Sequence, residues 1–313
     1  MSRVAAIDCG TNSLRLLVAD ADAAAGTLSD VVRRMEVVRL GSGVDRTGRL
    51  DPVALDRTLR MLADYARQID GLGVDRVRMC ATSATRDAAN RDEFVTGVHS
   101  VLGVEPEVVS GDDEAALSFT GATRELTTDS GLDPPYLVVD IGGGSTEFVL
   151  GSTSMQAARS IDVGCVRLTE RHLDDDPPTA GQVAAAVADI ESGLDAVRAS
   201  VPVEEAVTLV GLAGSVTTVA ALALDLPAYD PDRIHHARVS AADVHAVTGR
   251  LFAMPRSERA GLAVMHAGRV DVIAAGALVL DTVMSRLGWA SVVASEHDIL
   301  DGIAWSLADA AAG

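Results

Sequence analysis

Two stretches of this chain follow one formula, and its residue types suit the capture of a phosphate. Residues 4–18, VAAIDCGTNSLRLLV, contain Asp8-Cys9-Gly10-Thr11-Asn12-Ser13. Residues 136–150, YLVVDIGGGSTEFVL, contain Asp140-Ile141-Gly142-Gly143-Gly144-Ser145. Each reads as an apolar strand, Asp-x-Gly-x-x-Ser, and a second apolar strand. Such a turn offers backbone N–H groups and a hydroxyl to an anion, and glycine lets the backbone approach closely. Each turn also carries a carboxylate, which suits a metal-bound phosphate.

Other segments have two readings each. In Gly211-Leu212-Ala213-Gly214-Ser215 a strand enters a helix, so the helix N-terminus can receive an anion. The plainer reading makes Ser215 an N-cap. Arg86, in ATSATRDAAN, can clamp a phosphate with its planar fork or be a solvated helix arginine. Asp112, Asp113 and Glu114 open a helix, where acids also collect because the dipole favours them. His235 and His236 are read as a loop or structural pair, since adjacent histidines point apart. Arg269 is open between an interdomain or capping role and a ligand contact. Cys165 is read as a packing residue.

The chain has 313 residues and a net charge of −19, which disfavours nucleic acid and anionic membrane as partners. All 26 basic residues are arginine. Without lysine there is no Walker A loop and no Schiff-base chemistry. A phosphate clamp must then use arginine, hydroxyl, backbone N–H or metal. Three cysteines without a CxxC indicate neither a disulfide framework nor a zinc site. With no signal-peptide layout and no apolar run long enough to span a bilayer, the expectation is a cytoplasmic protein.

The elements that must hold these residues follow from periodicity and breakers. Strands are expected at 4–8, 14–20, about 31–40, 74–81 and 105–109. Helices are expected at 52–70, 84–90, 92–102 and 112–124. The polar, turn-rich stretch 127–135 is the expected boundary. Beyond it come the second hairpin, a strand near 155–163, helix 182–198 and strand 206–210. Helices at 216–224, 241–252 and 271–286, a strand at 290–294 and a closing helix from about 297 complete the pattern. Repeated hairpins followed by αβ units imply two similar α/β domains.

In order, AAIDCGTNSLRLLV, ATSATRDAAN, SGDDEAALSFTGA, VVDIGGGSTEFVL, DVGCVRLTE, GLAGSVTTVAAL and RVDVIAAGALVL resemble the exopolyphosphatase / guanosine pentaphosphate phosphohydrolase (Ppx/GppA) family. The resemblance implies two ribonuclease H-like/actin-like ATPase-type domains with an interdomain cleft. They would span 1–126 and 127–296, with a last helix, about 297–313, as a candidate to pack back on the first. It implies Glu114 as the catalytic acid that positions or deprotonates water, and Glu147 as a second acid. Thr11, Asn12, Ser13, Arg86, Gly142, Gly143, Gly144, Ser145, Gly214 and Ser215 would bind phosphate. Asp140 and Asp8 would hold Mg²⁺.

The implied reaction is hydrolysis of terminal phosphoanhydride bonds of polyphosphate. Guanosine pentaphosphate hydrolysis and non-catalytic sensing are the alternatives, and a homodimer is the expected assembly. Two departures stand out. Ala213 occupies a position where glycine is common. Where the family often shows Gly-Leu-Arg-x-Gly, this chain has Asp298-Ile299-Leu300-Asp301-Gly302, and the arginine is missing. The chain also ends soon afterwards, without the C-terminal helical module of longer relatives, so short polyphosphates are the expected substrates.

Overall fold

The structure is a computed structural model describing residues 2–126 and 131–312. Of the expected boundary stretch, residues 127–130 lie outside the described residues. The chain forms two compact units, Met1–Gly121 with Asp298–Gly313, and Ala122–His297.

The first unit begins with strands β1 (Ser2–Cys9), β2 (Ser13–Asp22) and β3 (Thr27–Val37). Helices α1 (Val44–Thr47) and α2 (Pro52–Gly71) follow, then β4 (Arg76–Ala81), α3 (Ser83–Asp87), α4 (Arg91–Leu102), β5 (Glu107–Val108) and α5 (Gly111–Thr123). The sheet order is β3-β2-β1-β4-β5. The β1, β2 and β3 neighbours are antiparallel, while β4 is parallel to both β1 and β5. Helix α2 starts as its sequence dictates: the Asp51 side chain accepts from the N–H groups of Val53 and Ala54, and Pro52 opens the first turn. Helix α3 is shorter than the expected 84–90.

Strand alternation gives this sheet two apolar faces. Ala5, Ile7 and Cys9 pack with Leu62, Tyr65 and Phe94. Val4 and Ala6 pack with Ile303, Ala304 and Trp305 of the C-terminal helix, Ile299–Ala312. Asp8 shares the parity of Val4 and Ala6, so it lies on the face that the C-terminal helix covers.

Helix α5 and the C-terminal helix meet at glycines. A methyl group at Gly121 would collide with the Asp298 carbonyl, and one at Gly302 with the Leu117 carbonyl. Those positions let the backbones touch.

The second unit contains β6 (Tyr136–Ile141), β7 (Thr146–Gly151), β8 (Met155–Ile161), α6 (Cys165–His172), α7 (Ala180–Ser200), β9 (Thr208–Leu212) and α8 (Ala213–Ala223). Then come α9 (Pro231–Ile234), β10 (Arg238–Ser240), α10 (Ala241–Ala253), α11 (Arg256–Arg259), α12 (Ile273–Leu287) and β11 (Ser291–Ala294). The sheet order, read from the hairpin edge, is β8-β7-β6-β9-β11-β10. Its first five strands repeat the first sheet, with β6 and β9 parallel, β9 and β11 parallel, and β10 added antiparallel at the edge. Every residue of β6 and β7 is buried, as expected for central strands covered on both faces. Helix α6 and strand β10 carry too short a pattern to be read from periodicity.

Candidate active site

The two loops close by the same bond. Gly10 N–H donates to the Ser13 carbonyl at 3.0 Å, and Gly142 N–H to the Ser145 carbonyl at 3.0 Å. Both loops are then pinned through their carbonyls. In the first unit, the Asn12 carbonyl accepts from Val38 and Arg39 (3.0 and 2.8 Å), and Thr11 accepts from Gly41 (2.8 Å). In the second, Gly142 accepts from Cys165 (3.0 Å), and Gly143 from Val166 and Arg167 (2.9 and 3.1 Å), at the start of α6. In a trans peptide the N–H points away from its carbonyl. Pinning the carbonyls therefore turns the N–H groups of Asn12 and Ser13, and of Gly143 and Gly144, to the opposite side of each loop. A methyl group at Gly164 would collide with the Gly143 carbonyl, so α6 can seat this loop only through a glycine. The Thr11 hydroxyl shares a 2.8 Å hydrogen bond with Ser83, and Ser145 is buried.

The carboxylates differ between the units. Asp8 pairs across the strands with Arg15, whose Nε and Nη2 donate to Asp8 Oδ2 at 2.9 and 2.8 Å. Asp8 Oδ1 is buried and has no hydrogen-bond partner. Burial pushes the Asp8 carboxyl above its usual range, against the pull of Arg15. In the second unit, Asp140 pairs across the strands with Glu147. Both are buried, and directly opposite residues project to one face of a sheet. Glu147 Oε1 accepts from Ser160 Oγ at 2.7 Å.

Helix α5 places its first-turn acids in different settings. Asp113 bonds the hydroxyl and N–H of Ser110, and Ser110 Oγ in turn accepts the Asp113 N–H. Glu114 lies one position beyond, is 8% exposed, and accepts from Arg86 Nη1 at 3.0 Å. That same nitrogen donates to the Val109 carbonyl at 3.1 Å. Arg86 is thus tied to the strand-to-helix connection and to Glu114 rather than solvated.

Around α8 the structure removes one of the two readings. Strand β9 runs to Leu212 and the helix begins at Ala213, so Ser215 is not the N-cap but a buried residue of the first turn. Gly276 leaves room for its hydroxyl, since a methyl group there would collide with Ser215 Oγ. Ala213 has φ 66°, the left-handed conformation in which glycine is at ease, which explains why glycine is common there. Arg269, left open from the sequence, lies against Gly214: a methyl group at Gly214 would collide with its guanidinium. Its Nη1 donates to Thr218 Oγ1 at 3.2 Å. A cation thus stands at the turn proposed to hold an anion, brought there from a position remote in sequence. Cys165 is buried, and burial pushes its thiol up, so it packs rather than reacts.

The structure stacks His235 on His236, ring centroids 3.7 Å apart, instead of pointing the two apart, and sets His235 beside Glu125 and His297. His297 Nδ1 lies 3.2 Å and His235 Nε2 3.8 Å from Glu125 Oε2. These three are the metal-like cluster among the described residues. However, His235 Nδ1 accepts the Glu296 N–H at 3.2 Å, which leaves the proton of the neutral ring on Nε2. Nε2 therefore turns an N–H rather than a lone pair toward Glu125, 3.8 Å away and without a hydrogen bond. His235 and then His297 hold the Glu125 carboxyl below its usual range.

Comparison with known proteins agrees along nearly the whole chain. The Ppx/GppA phosphatase family profile matches residues 17–310. Exopolyphosphatase 2 of Mycobacterium tuberculosis is 50% identical over 98% of this chain and 99% of that protein. The guanosine-5′-triphosphate,3′-diphosphate pyrophosphatase of Aeromonas salmonicida is 29% identical over 97% of this chain and 59% of that protein. The crystal structure of the Aquifex aeolicus Ppx/GppA family member superposes with a TM-score of 0.83 at 30% identity, covering 100% of this chain and 99% of that one.

Proposed function

The chain belongs to the Ppx/GppA phosphatase family, and from that premise we propose that it is an exopolyphosphatase releasing orthophosphate from chain ends. The observation that carries the reading is Glu114, a buried carboxylate that is not used as a helix cap and that pairs with Arg86. Phosphoryl transfer to water needs mainly positioning and charge neutralisation. In this reading Arg86 turns from Glu114 to a phosphate oxygen when substrate enters. Glu114, released from its cation, then orients the attacking water and accepts its proton. Glu147 assists. The N–H groups of Asn12, Ser13, Gly143 and Gly144, the Thr11 and Ser145 hydroxyls and the first turn of α8 hold phosphate oxygens. Arg269 adds a charge at Gly214.

Magnesium fits this donor set. Asp8 Oδ1 is a buried carboxylate oxygen without a partner, and Asp140 and Glu147 bring two acids to one face. Asp8 and Asp140 are the carboxylates proposed as Mg²⁺ ligands, and the bound cation would neutralise charge on the transferred phosphoryl group. The overall charge of −19 supports short polyphosphates over long ones, because a long polyanion would run along an acidic surface.

A substrate panel tests the reading. Short and long polyphosphate, guanosine pentaphosphate and ATP are compared by phosphate release, each with and without Mg²⁺. The expected result is Mg²⁺-dependent release from polyphosphate, with higher kcat/KM on short chains. Preferred hydrolysis of guanosine pentaphosphate would move the function to that of the Aeromonas relative's name. Binding without release would make the protein a sensor.

A further inference from the structure

A chain of charged residues runs from Asp8 through Arg15 to Asp298 and to Asp301 of the C-terminal helix, its three acids buried. Arg15 uses Nε and Nη2 on Asp8 Oδ2 and Nη1 on Asp298 Oδ2. Asp298 is itself fixed: its Oδ1 accepts the Leu300 N–H at 3.0 Å, and its own N–H donates to Asp301 Oδ2 at 3.0 Å. Asp301 is in turn bonded by both terminal nitrogens of Arg33. Asp298 and Asp301 are 4% and 1% exposed, so this network is built into the packing.

An arginine fork left alone with a carboxylate prefers two parallel bonds, one to each oxygen. Here both donors fall on Oδ2, and Oδ1 is left bare in a buried position. The pull of Asp298 on the third nitrogen accounts for that offset. We propose that Asp298 is a positioning residue: acting through Arg15, it holds the Asp8 carboxylate with Oδ1 presented to the divalent cation. This rests on the reading that Asp8 belongs to the cation site. A purely structural ion pair would have no need of an offset that leaves one buried oxygen unsatisfied.

The test uses Asp298→Asn. Asparagine keeps an oxygen for the Leu300 N–H and ranks with aspartate as a helix cap, so the fold is retained while the charge is lost. Calorimetric titration of the metal-free protein with Mg²⁺ gives affinity without turnover. In parallel, Mg²⁺ half-activation, polyphosphate KM at saturating Mg²⁺ and the thermal midpoint are measured. D298N is expected to bind Mg²⁺ about 10-fold more weakly and to shift half-activation equally, with KM within about twofold of the parent. Asp298→Glu should recover most of the loss. Parent-like Mg²⁺ affinity in D298N, whatever its thermal midpoint, overturns the proposal. Asp8→Asn separates the two readings. If it loses Mg²⁺ binding while D298N does not, only the positioning role falls. If it too binds normally, the Asp8 reading falls and the proposal with it.

Discussion

Opposite the loop aspartate stands an arginine in the first unit and a glutamate in the second. Asp8 faces Arg15 and Asp140 faces Glu147, at the same register in sheets of the same order. Both loops close with the same 3.0 Å bond and are pinned by their carbonyls. The backbone device is therefore shared, and the electrostatics are not. The first unit neutralises its carboxylate and leaves one oxygen over. The second sets two acids side by side on one face of its sheet. One position on the second strand of each hairpin thus separates an aspartate set against an arginine from one set against a second acid.

The largest expected effect concerns the first unit's own acid. Glu114→Gln should leave polyphosphate binding near normal and lower kcat by about 10²–10⁴-fold. A variant keeping most of its turnover would remove Glu114 from its role and, with it, the chemical part of the first unit. Next comes the direct comparison of the two loops. In metal-free protein, Asp8→Asn should lower stability by about 1–3 kcal/mol, because Arg15 loses a partner in a buried place. Asp140→Asn should lower the thermal midpoint by less, because it also removes one charge of the like-charged Asp140–Glu147 pair. Equal destabilisation of the two would break the asymmetry.

Packing effects should be of similar size or smaller. Gly302→Ala pushes a methyl group into the Leu117 carbonyl and should cost about 1–3 kcal/mol in denaturant unfolding. Because Leu117 lies on the helix that carries Glu114, activity should fall at temperatures where the variant is still folded. The smallest change is expected in the second unit. Ala213→Gly relieves a left-handed alanine but frees the unfolded chain, for a net gain of no more than about 1 kcal/mol. A loss of stability there would mean that the alanine methyl makes contacts worth more than its strain.

Much of the hairpin architecture was legible because strands and glycine turns are local. The strand-turn-strand formula, the capped start of α2 and the acids opening α5 each depend on residues near one another in sequence. The family's motifs also lie in contiguous runs. The readings that sequence leaves open share a cause. A cap at Ser215 requires a turn between strand and helix, and the two join without one. Arg269 had no local pattern that aims it at Gly214, and His235 none that aims it at Glu125 and His297. Helix α6 is too short to show a period, yet it is the element that seats the second loop.

By itself, the sequence determined the two hairpins, their glycine loops, the family and the acids available for chemistry, because backbone preference and side-chain type are properties of short segments. Only the tertiary structure decided which charges meet. It set Asp8 against Arg15 and Asp298, Glu114 against Arg86, and Arg269 over Gly214. Those encounters depend on strand register and helix packing between residues far apart in the chain. A carboxylate is only an acid until burial and its neighbours decide whether it is held, shared or left with an oxygen to offer.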